Sequence, residues 1–524
     1  MKAAVKAPMR FGIIHVGASR MSVSIFEYTS LVNLQLLERA ERDVTFGEEV
    51  FRNHSLSFET IDEICRTLRG YVQLLKDYGI SDYQVVGTAV VREAENRRNI
   101  LDQIYVQTGL MMTVIDMPKE IYYKYFGLYY HLYQKGITQQ RSDEAVLFLD
   151  ITSGGVGISI WYKGSLKLQE NIHLGSLRVL ELFSRNQRAS LSFPCAIHDY
   201  LHSMLAPLED EMKAYPIRYL VLAGDEAQQL SGFMGYPVTN GQEQEVDVSV
   251  LTDFVESFHG VSVTKMVNRY HIQEHRANIL VPTLLLYHVI CQMAQPQTIV
   301  TSPLSLVDGI SLYYGAERSH HPFLEIMREQ NVRLAWSMAR HYQIDEAYTK
   351  KIERFGLQFC KALEGHGVSA RSLYLYRIAA VLSEVGKFVS LRNNSEHAYH
   401  IVMGSDIFGL TDDEKRVVAN VVYYHYKGYP SDADAQFREL DEVDKRQIMK
   451  LVAIIRLAKD LDASYEQKIQ SIDVTVLEQE KKLIVTVNTK QNVFLEQLTF
   501  MRDVGYFNSV FGLAVEWKRG GESK

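Results

Sequence analysis

The sequence predicts an α/β-plus-all-α chain: two α/β lobes, then a helical domain, then a small C-terminal α/β domain. Three observations predict it. Residues 11–38 and 145–172 each open on an apolar strand that runs into a small-residue turn and further strands. Residues 322–465 carry an almost unbroken helical pattern with few β-branched runs. Residues 471–489, "SIDVTVLEQEKKLIVTVNT", alternate on both sides of a charged turn, which is a hairpin pattern. At 524 residues the chain is also too long for one hydrophobic core.

The elements follow in order. Residues 11–16 form the first strand, and Val23 and Ile25 alternate with Ser22 and Ser24, a period of two. "LVNLQLLE" (31–38) makes a third strand. Ser57 caps a helix whose apolar stripe is Ile61, Ile64, Leu68, Tyr71 and Leu75, with Gly79 as its stop. A strand (83–89), a helix (about 92–106) and a strand (about 110–115) complete the first lobe. The second lobe restarts with "AVLFLDITSGG" (145–155), paired strands to 172, a helix at about 176–186 and a strand in "RYLVLAGDEA" (218–227). The repetition predicts two similar lobes facing a cleft, where glycine turns can present backbone N–H groups to a phosphate. "VFLEQLTFMRDVGYFNSVFG" (493–512) reads as a short helix with a terminal turn. The expected spans are 1–130, 131–314, 315–468 and 469–524.

Composition excludes some function classes. A net charge of −7 argues against whole-chain gripping of a nucleic acid polymer. Cysteines at 65, 195, 291 and 360 lie far apart without metal spacing, which suits a reducing cytoplasm. The N-terminal stretch is broken by His15 and Arg20 and is not read as a signal peptide. The apolar run 279–294 is short and interrupted, so a buried helix is expected rather than a membrane span.

Several segments together resemble the exopolyphosphatase/guanosine pentaphosphate phosphohydrolase (Ppx/GppA) family, nearly end to end. The most specific is "TAVVREAEN" (88–96), close to that family's Thr-x-Ala-x-Arg-x-Ala-x-Asn. "HRANILVP" (275–282), "SLVDGISLYY" (305–314), "HAYHIVMGSDIFGLTDDEK" (397–415) and "IIRLAKDLDAS" (454–464) support it by order and spacing. The resemblance implies two actin-like (ribonuclease H-like) lobes, an HD-related helical domain, a homodimer, and release of terminal phosphate from polyphosphate or of the 5′ phosphate of guanosine pentaphosphate. It also implies Mg²⁺ or Mn²⁺ as cofactor.

Hydrolysing a phosphoanhydride needs a positioned water, a carboxylate to deprotonate it, and positive charge on the phosphoryl oxygens. By resemblance Glu120 falls on the proposed base; the plainer reading is a glutamate favoured by a helix N-terminus. Arg92 falls on the phosphate-binding arginine, where a guanidinium fork suits phosphate oxygens. The plainer reading is an ion pair with Glu93 or Glu95. Gly17, Ser19, Gly154 and Gly155 are the expected phosphate-turn residues, and Asp150 the expected metal ligand.

The chain departs from the family's acidic pattern. The first turn's aspartate is His15, expected to be a hydrogen-bonded strand-end histidine. The second turn's glutamate is Gly157, and the later Gly-Gly-Thr turn is Gly224, Asp225, Glu226. In the helical domain Ser383 and Glu384 stand where the HD histidine and aspartate would be, so no HD metal centre is expected. Two readings stay open. One is a hydrolase of weakened activity; the other is a non-catalytic phosphate-ligand sensor that uses the same cleft.

Overall fold

A computed structural model of the chain describes residues 8–136, 143–188, 190, 192–238, 242–257, 267–269 and 274–520. The chain divides into two compact units, Met1–Met327 and Arg328–Lys524.

The first unit holds the two lobes. Lobe I is a five-stranded sheet of β1 (Met9–Val16), β2 (Arg20–Ser30), β3 (Asn33–Asp43), β4 (Tyr83–Gly87) and β5 (Met112–Val114), in the order β3-β2-β1-β4-β5. β1, β2 and β3 form an antiparallel meander, and β4 and β5 continue parallel to β1. Lobe II repeats this with β6 (Ala145–Ile151), β7 (Val156–Tyr162), β8 (Ser165–Ile172), β9 (Ile217–Ala223), β10 (Gln244–Asp247) and β11 (Thr298–Thr301). Its order is β10-β11-β9-β6-β7-β8, with the edge strand β10 as the addition. The central strand β6 is buried at every residue, as a strand covered on both faces must be. The helix Phe58–Asp77 forms as its stripe predicts, with the Ser57 hydroxyl accepting from the Thr60 N–H.

Two helices set the cleft. Met117–Gln134 and Leu306–Arg318 cross at Gly127 and Gly309, close enough that a Cβ on Gly309 would lie 2.4 Å from the Tyr123 carbonyl oxygen. That backbone-to-backbone contact fixes the first helix, and with it Glu120 and Lys124. Helix Glu274–Ala294 is the one described helix long and apolar enough to cross a membrane by composition, and 78% of its apolar window is buried inside the protein.

The second unit is helical from Arg328 to Asp460, as the periodicity predicts, followed by β12 (Ser471–Leu477), β13 (Lys482–Asn488) and β14 (Ala514–Arg519). β12 and β13 form the expected hairpin. The structure adds β14, which pairs parallel to β13 after an 18-residue helix, Phe494–Phe511. A buried Arg456–Asp503 pair at 2.9 Å ties that helix to helix Glu442–Asp460.

Candidate functional site

Each site residue is placed by a short piece of local structure. After β4 the chain makes a single helical turn, Ala89–Arg92, whose cap Thr88 donates its N–H to the Val16 carbonyl at 3.1 Å. This brings Arg92 opposite Gly154 of the second lobe. Glu120 lies in the first turn of helix Met117–Gln134, capped by Asp116, whose side chain accepts from the Lys119 N–H at 2.7 Å. Lys124 lies one turn further along, on the same face. Asp150 closes β6 against the turn 152–155.

Arg92 and Glu120, separated in sequence, come together. Arg92 Nη1 donates to Glu120 Oε2 at 3.1 Å and to the Ile115 carbonyl at 3.2 Å, and Nε donates to Glu93 at 3.1 Å. The ion pair with Glu93 and the approach to the cleft therefore coexist. Nη2 is fully buried and has no hydrogen-bond partner among the described residues. It faces the second glycine turn: a Cβ on Gly154 would lie 3.5 Å from it. A buried donor left unpaired costs about 1–3 kcal/mol unless something accepts from it.

The turns themselves are more self-contained than a phosphate cradle. The Gly17 N–H donates to the Arg20 carbonyl at 2.9 Å, and the Gly155 N–H donates to Thr152 Oγ1 at 3.1 Å. Gly17 is small because the His15 ring lies 2.9 Å from where its Cβ would be, and Gly155 because Met117 Sδ would lie at 2.1 Å. Ser19 lines the cleft, and its carbonyl accepts from Val44. Gly175 buttresses the second turn from behind; its Cβ would fall 2.3 Å from the Gly155 nitrogen and 2.4 Å from Gly154. Gly175→Ala therefore has nowhere to relax except by moving backbone. We expect a loss of about 3 kcal/mol in denaturant unfolding, with ordinary stability in the variant contradicting this packing.

Asp150 does not meet a metal's requirements. Both its oxygens accept from Lys124 Nζ, each at 2.8 Å, and both residues are only 5% exposed. Ile121, Tyr125, Leu128 and Phe148 wall the pair with apolar groups. Burial alone would lower the Lys124 ammonium, but Asp150 and Glu120 push it up to about 12. The place of the family's glutamate has also closed, because a Cβ on Gly157 would lie 2.6–2.9 Å from three carbons of Ile121. His15 donates to or accepts from Thr88 Oγ1 at 3.1 Å, and burial holds its pKa below the ordinary value, so it is neutral at pH 7. Among the described residues no three His, Cys, Asp or Glu side chains are grouped to hold a metal ion. The residues present therefore do not fit the expected Mg²⁺ or Mn²⁺, and Asp150 is a lysine's partner instead.

Lys124 is the member of this cluster that the sequence reading missed. Its signal is a lone charge in the aromatic run "IYYKYFGLYY" (121–130), four residues beyond Glu120. Arg178 was also missed: its Nε donates to the Gly154 carbonyl at 3.1 Å and its Nη2 pairs with Glu93. This pair joins the lobes, as do Arg20–Asp225 and Arg52–Glu181, each at 3.2 Å.

Beside these bridges the cleft holds a cavity of about 70 Å³ between Ser19, Arg20 and Asp43 on one side and Ser153, Asp225, Glu226 and Thr283 on the other. Burial, then Asp225, raises Glu226 from 4.5 to about 7. The folded chain thus binds an extra proton between those values. Stability is greatest below the lower one and falls as pH rises through the upper. Glu226 keeps part of its surface in solvent, which reduces the effect to about 1–2 kcal/mol. Glu226→Gln is expected to gain that much at pH 8 and nothing at pH 4, read by thermal unfolding at the two pH values.

In the helical unit Glu384 pairs with Lys387, whose ammonium lies 4.7 Å from the Tyr465 ring centroid and 5.5 Å from that of Tyr426. His425 is fully buried, 3.5 Å from Glu384, while His397 lies on the helix Asn394–Gly404.

Comparison with known proteins places this architecture. The fold resembles the Aquifex aeolicus member of the Ppx/GppA protein family (TM-score 0.50, 16% identity, covering 60% of this chain and 99% of that one). It equally resembles an exopolyphosphatase from Cytophaga hutchinsonii (TM-score 0.50, 18% identity, 59% of this chain and 98% of that one). At these identities the likeness speaks for the actin-like two-lobed fold. A model described as the Ppx/GppA phosphatase family matches residues 24–317, and one for Ppx/GppA phosphatase, domain III, matches 328–502. With more than half of the sequence matched by the first alone, the chain belongs to the Ppx/GppA phosphatase family.

Proposed function

We propose that the interlobe cleft binds the terminal phosphate of inorganic polyphosphate, or the 5′ phosphate of guanosine pentaphosphate, and releases it slowly by hydrolysis. The observation that carries this reading is the buried, partnerless Nη2 of Arg92 facing the Gly154 turn. A phosphoryl oxygen is the acceptor such a fork is shaped for. Glu120, held on Arg92 through Oε2, would take the proton of the attacking water on its other oxygen. Family membership and the fold likeness to an exopolyphosphatase support the substrate class. Turnover is expected to be slow because Asp150 and Glu120 are both already engaged by cations. The same proposal puts the chain in the cytoplasm as a homodimer, with unpaired cysteines that suit a reducing compartment.

A second reading, a phosphate-ligand sensor without turnover, is favoured by ion pairs that bridge the lobes, among them Arg20–Asp225, Arg52–Glu181 and Arg178–Glu93, since a ligand that loosens or tightens them shifts the lobe equilibrium. Phosphate release from polyphosphate and from guanosine pentaphosphate, measured with Mg²⁺, with Mn²⁺ and in EDTA, decides between them. Release that Glu120→Gln lowers at least about 100-fold supports the hydrolase. Ligand-induced thermal stabilisation without release supports the sensor, and neither effect would remove both.

A further inference from the structure

We propose that the Lys124 ammonium is the resident cation of this cleft, standing on Asp150 where a divalent ion would need that carboxylate, so that the ligand's phosphate binds without a protein-held metal. The inference rests on the phosphate-binding reading above and says how that site balances its charge. An ammonium has three donors and no preference for octahedral geometry. Two of its N–H groups meet the two Asp150 oxygens at 2.8 Å, so a hard cation, which takes oxygen ligands at about 2.1 Å, would have to share each oxygen with the ammonium and sit against its charge. The neighbouring positions cannot rebuild a metal site. Ile121 fills the space in front of Gly157, and His15 is spent on Thr88. Glu120 has one oxygen on Arg92 and the other is the one given above to the attacking water, and among the described residues no three His, Cys, Asp or Glu side chains are grouped to hold a metal ion.

Lys124 Nζ also lies 3.7 Å from where a Cβ of Gly224 would be, so the positive charge sits directly behind the turn that opens into the cleft. An independent instance of the same exchange occurs in the helical unit, where Lys387 stands on Glu384. In each unit the carboxylate at the family's metal position is held by a lysine of the same chain.

The test uses the full chain stripped with EDTA and desalted. Manganese alone is titrated in, and free Mn²⁺ is counted by electron paramagnetic resonance. The wild-type chain is expected to show no site tighter than about 1 mM that depends on Asp150. Lys124→Ala, which frees the carboxylate, is expected to gain Mn²⁺ uptake that Lys124→Ala/Asp150→Asn lacks. A wild-type site tighter than about 100 μM that Asp150→Asn abolishes would overturn the proposal, and it does so even if the Lys124 variants fail to fold.

A second arm follows tripolyphosphate by calorimetry. Binding in excess EDTA supports the proposal. Binding only once Mg²⁺ is added overturns it while leaving the phosphate reading intact. Binding under neither condition refutes the phosphate reading, and the Mn²⁺ isotherm then still decides whether Lys124 holds the metal's place.

Discussion

Arg92→Ala is expected to weaken tripolyphosphate binding about 10–100-fold, because a charge-assisted hydrogen bond of about 1.5–3 kcal/mol is lost. This is the bond that Nη2 lacks in the free protein, where Nε and Nη1 are already engaged. The substitution also strips Glu120, itself 5% exposed, of its partner. A fall in stability therefore accompanies the loss of binding. Arg92→Lys separates the two effects. It keeps a positive charge near Glu120 but loses the planar fork, so stability should recover more than affinity does. Calorimetric titration measures the first quantity and urea unfolding the second. An affinity within about threefold of wild type in Arg92→Ala would mean that the orphaned donor is a packing accident.

The largest effect on stability is expected from Lys124→Met. It leaves the Asp150 carboxylate charged, unpaired and walled by apolar side chains, a situation that costs about 3–5 kcal/mol. Burial already pushes the Asp150 pKa upward, and removing the ammonium pushes it further. The variant's defect should therefore shrink as pH falls and Asp150 takes up a proton, and be greatest at neutral pH and above. Lys124→Met/Asp150→Leu, which removes both charges, is expected to return to within about 1–2 kcal/mol of wild type. Urea unfolding at pH 5 and pH 8 gives all of these values. A single Lys124→Met variant as stable as wild type at pH 8 would show that the pair is not the buried ion pair described.

The fold was largely readable because its signals are local. The alternation in β2, the apolar stripe of helix Phe58–Asp77 and the charged turn between β12 and β13 each lie within one stretch of chain. β14 was missed although Leu513, Val515 and Trp517 alternate with Ala514, Glu516 and Lys518, because the run is short and meets its partner β13 only across the helix Phe494–Phe511. The helix expected at about 176–186 is broken into Ser176–Glu181 and Arg185–Arg188. Its first turn is spent on the glycine turn: the Ser176 and Arg178 N–H groups donate to Thr152 and Ser153.

The candidate residues are visible in the sequence, but their pairings are not. Arg92 and Glu120 were singled out, and they meet across 28 residues of chain. Lys124 finds Asp150 across 26 residues and His15 finds Thr88 across 73, contacts that no local spacing announces. The glycines are ambiguous for a related reason. A glycine needed so that a phosphate can approach looks, in sequence, the same as one needed so that a Met117 sulfur or a His15 ring can approach.

An anion should complete Arg92 at the Gly154 turn while lysine, not metal, holds Asp150. A crystal structure of the chain grown with tripolyphosphate and Mn²⁺, with manganese located by its anomalous scattering, tests both halves together. The expected result is a phosphoryl oxygen within about 3 Å of Arg92 Nη2, Lys124 still on both oxygens of Asp150, and any manganese bound to the ligand alone. Manganese ligated by Asp150 with Lys124 turned away, or phosphate bound elsewhere with Nη2 still unpartnered, would contradict it.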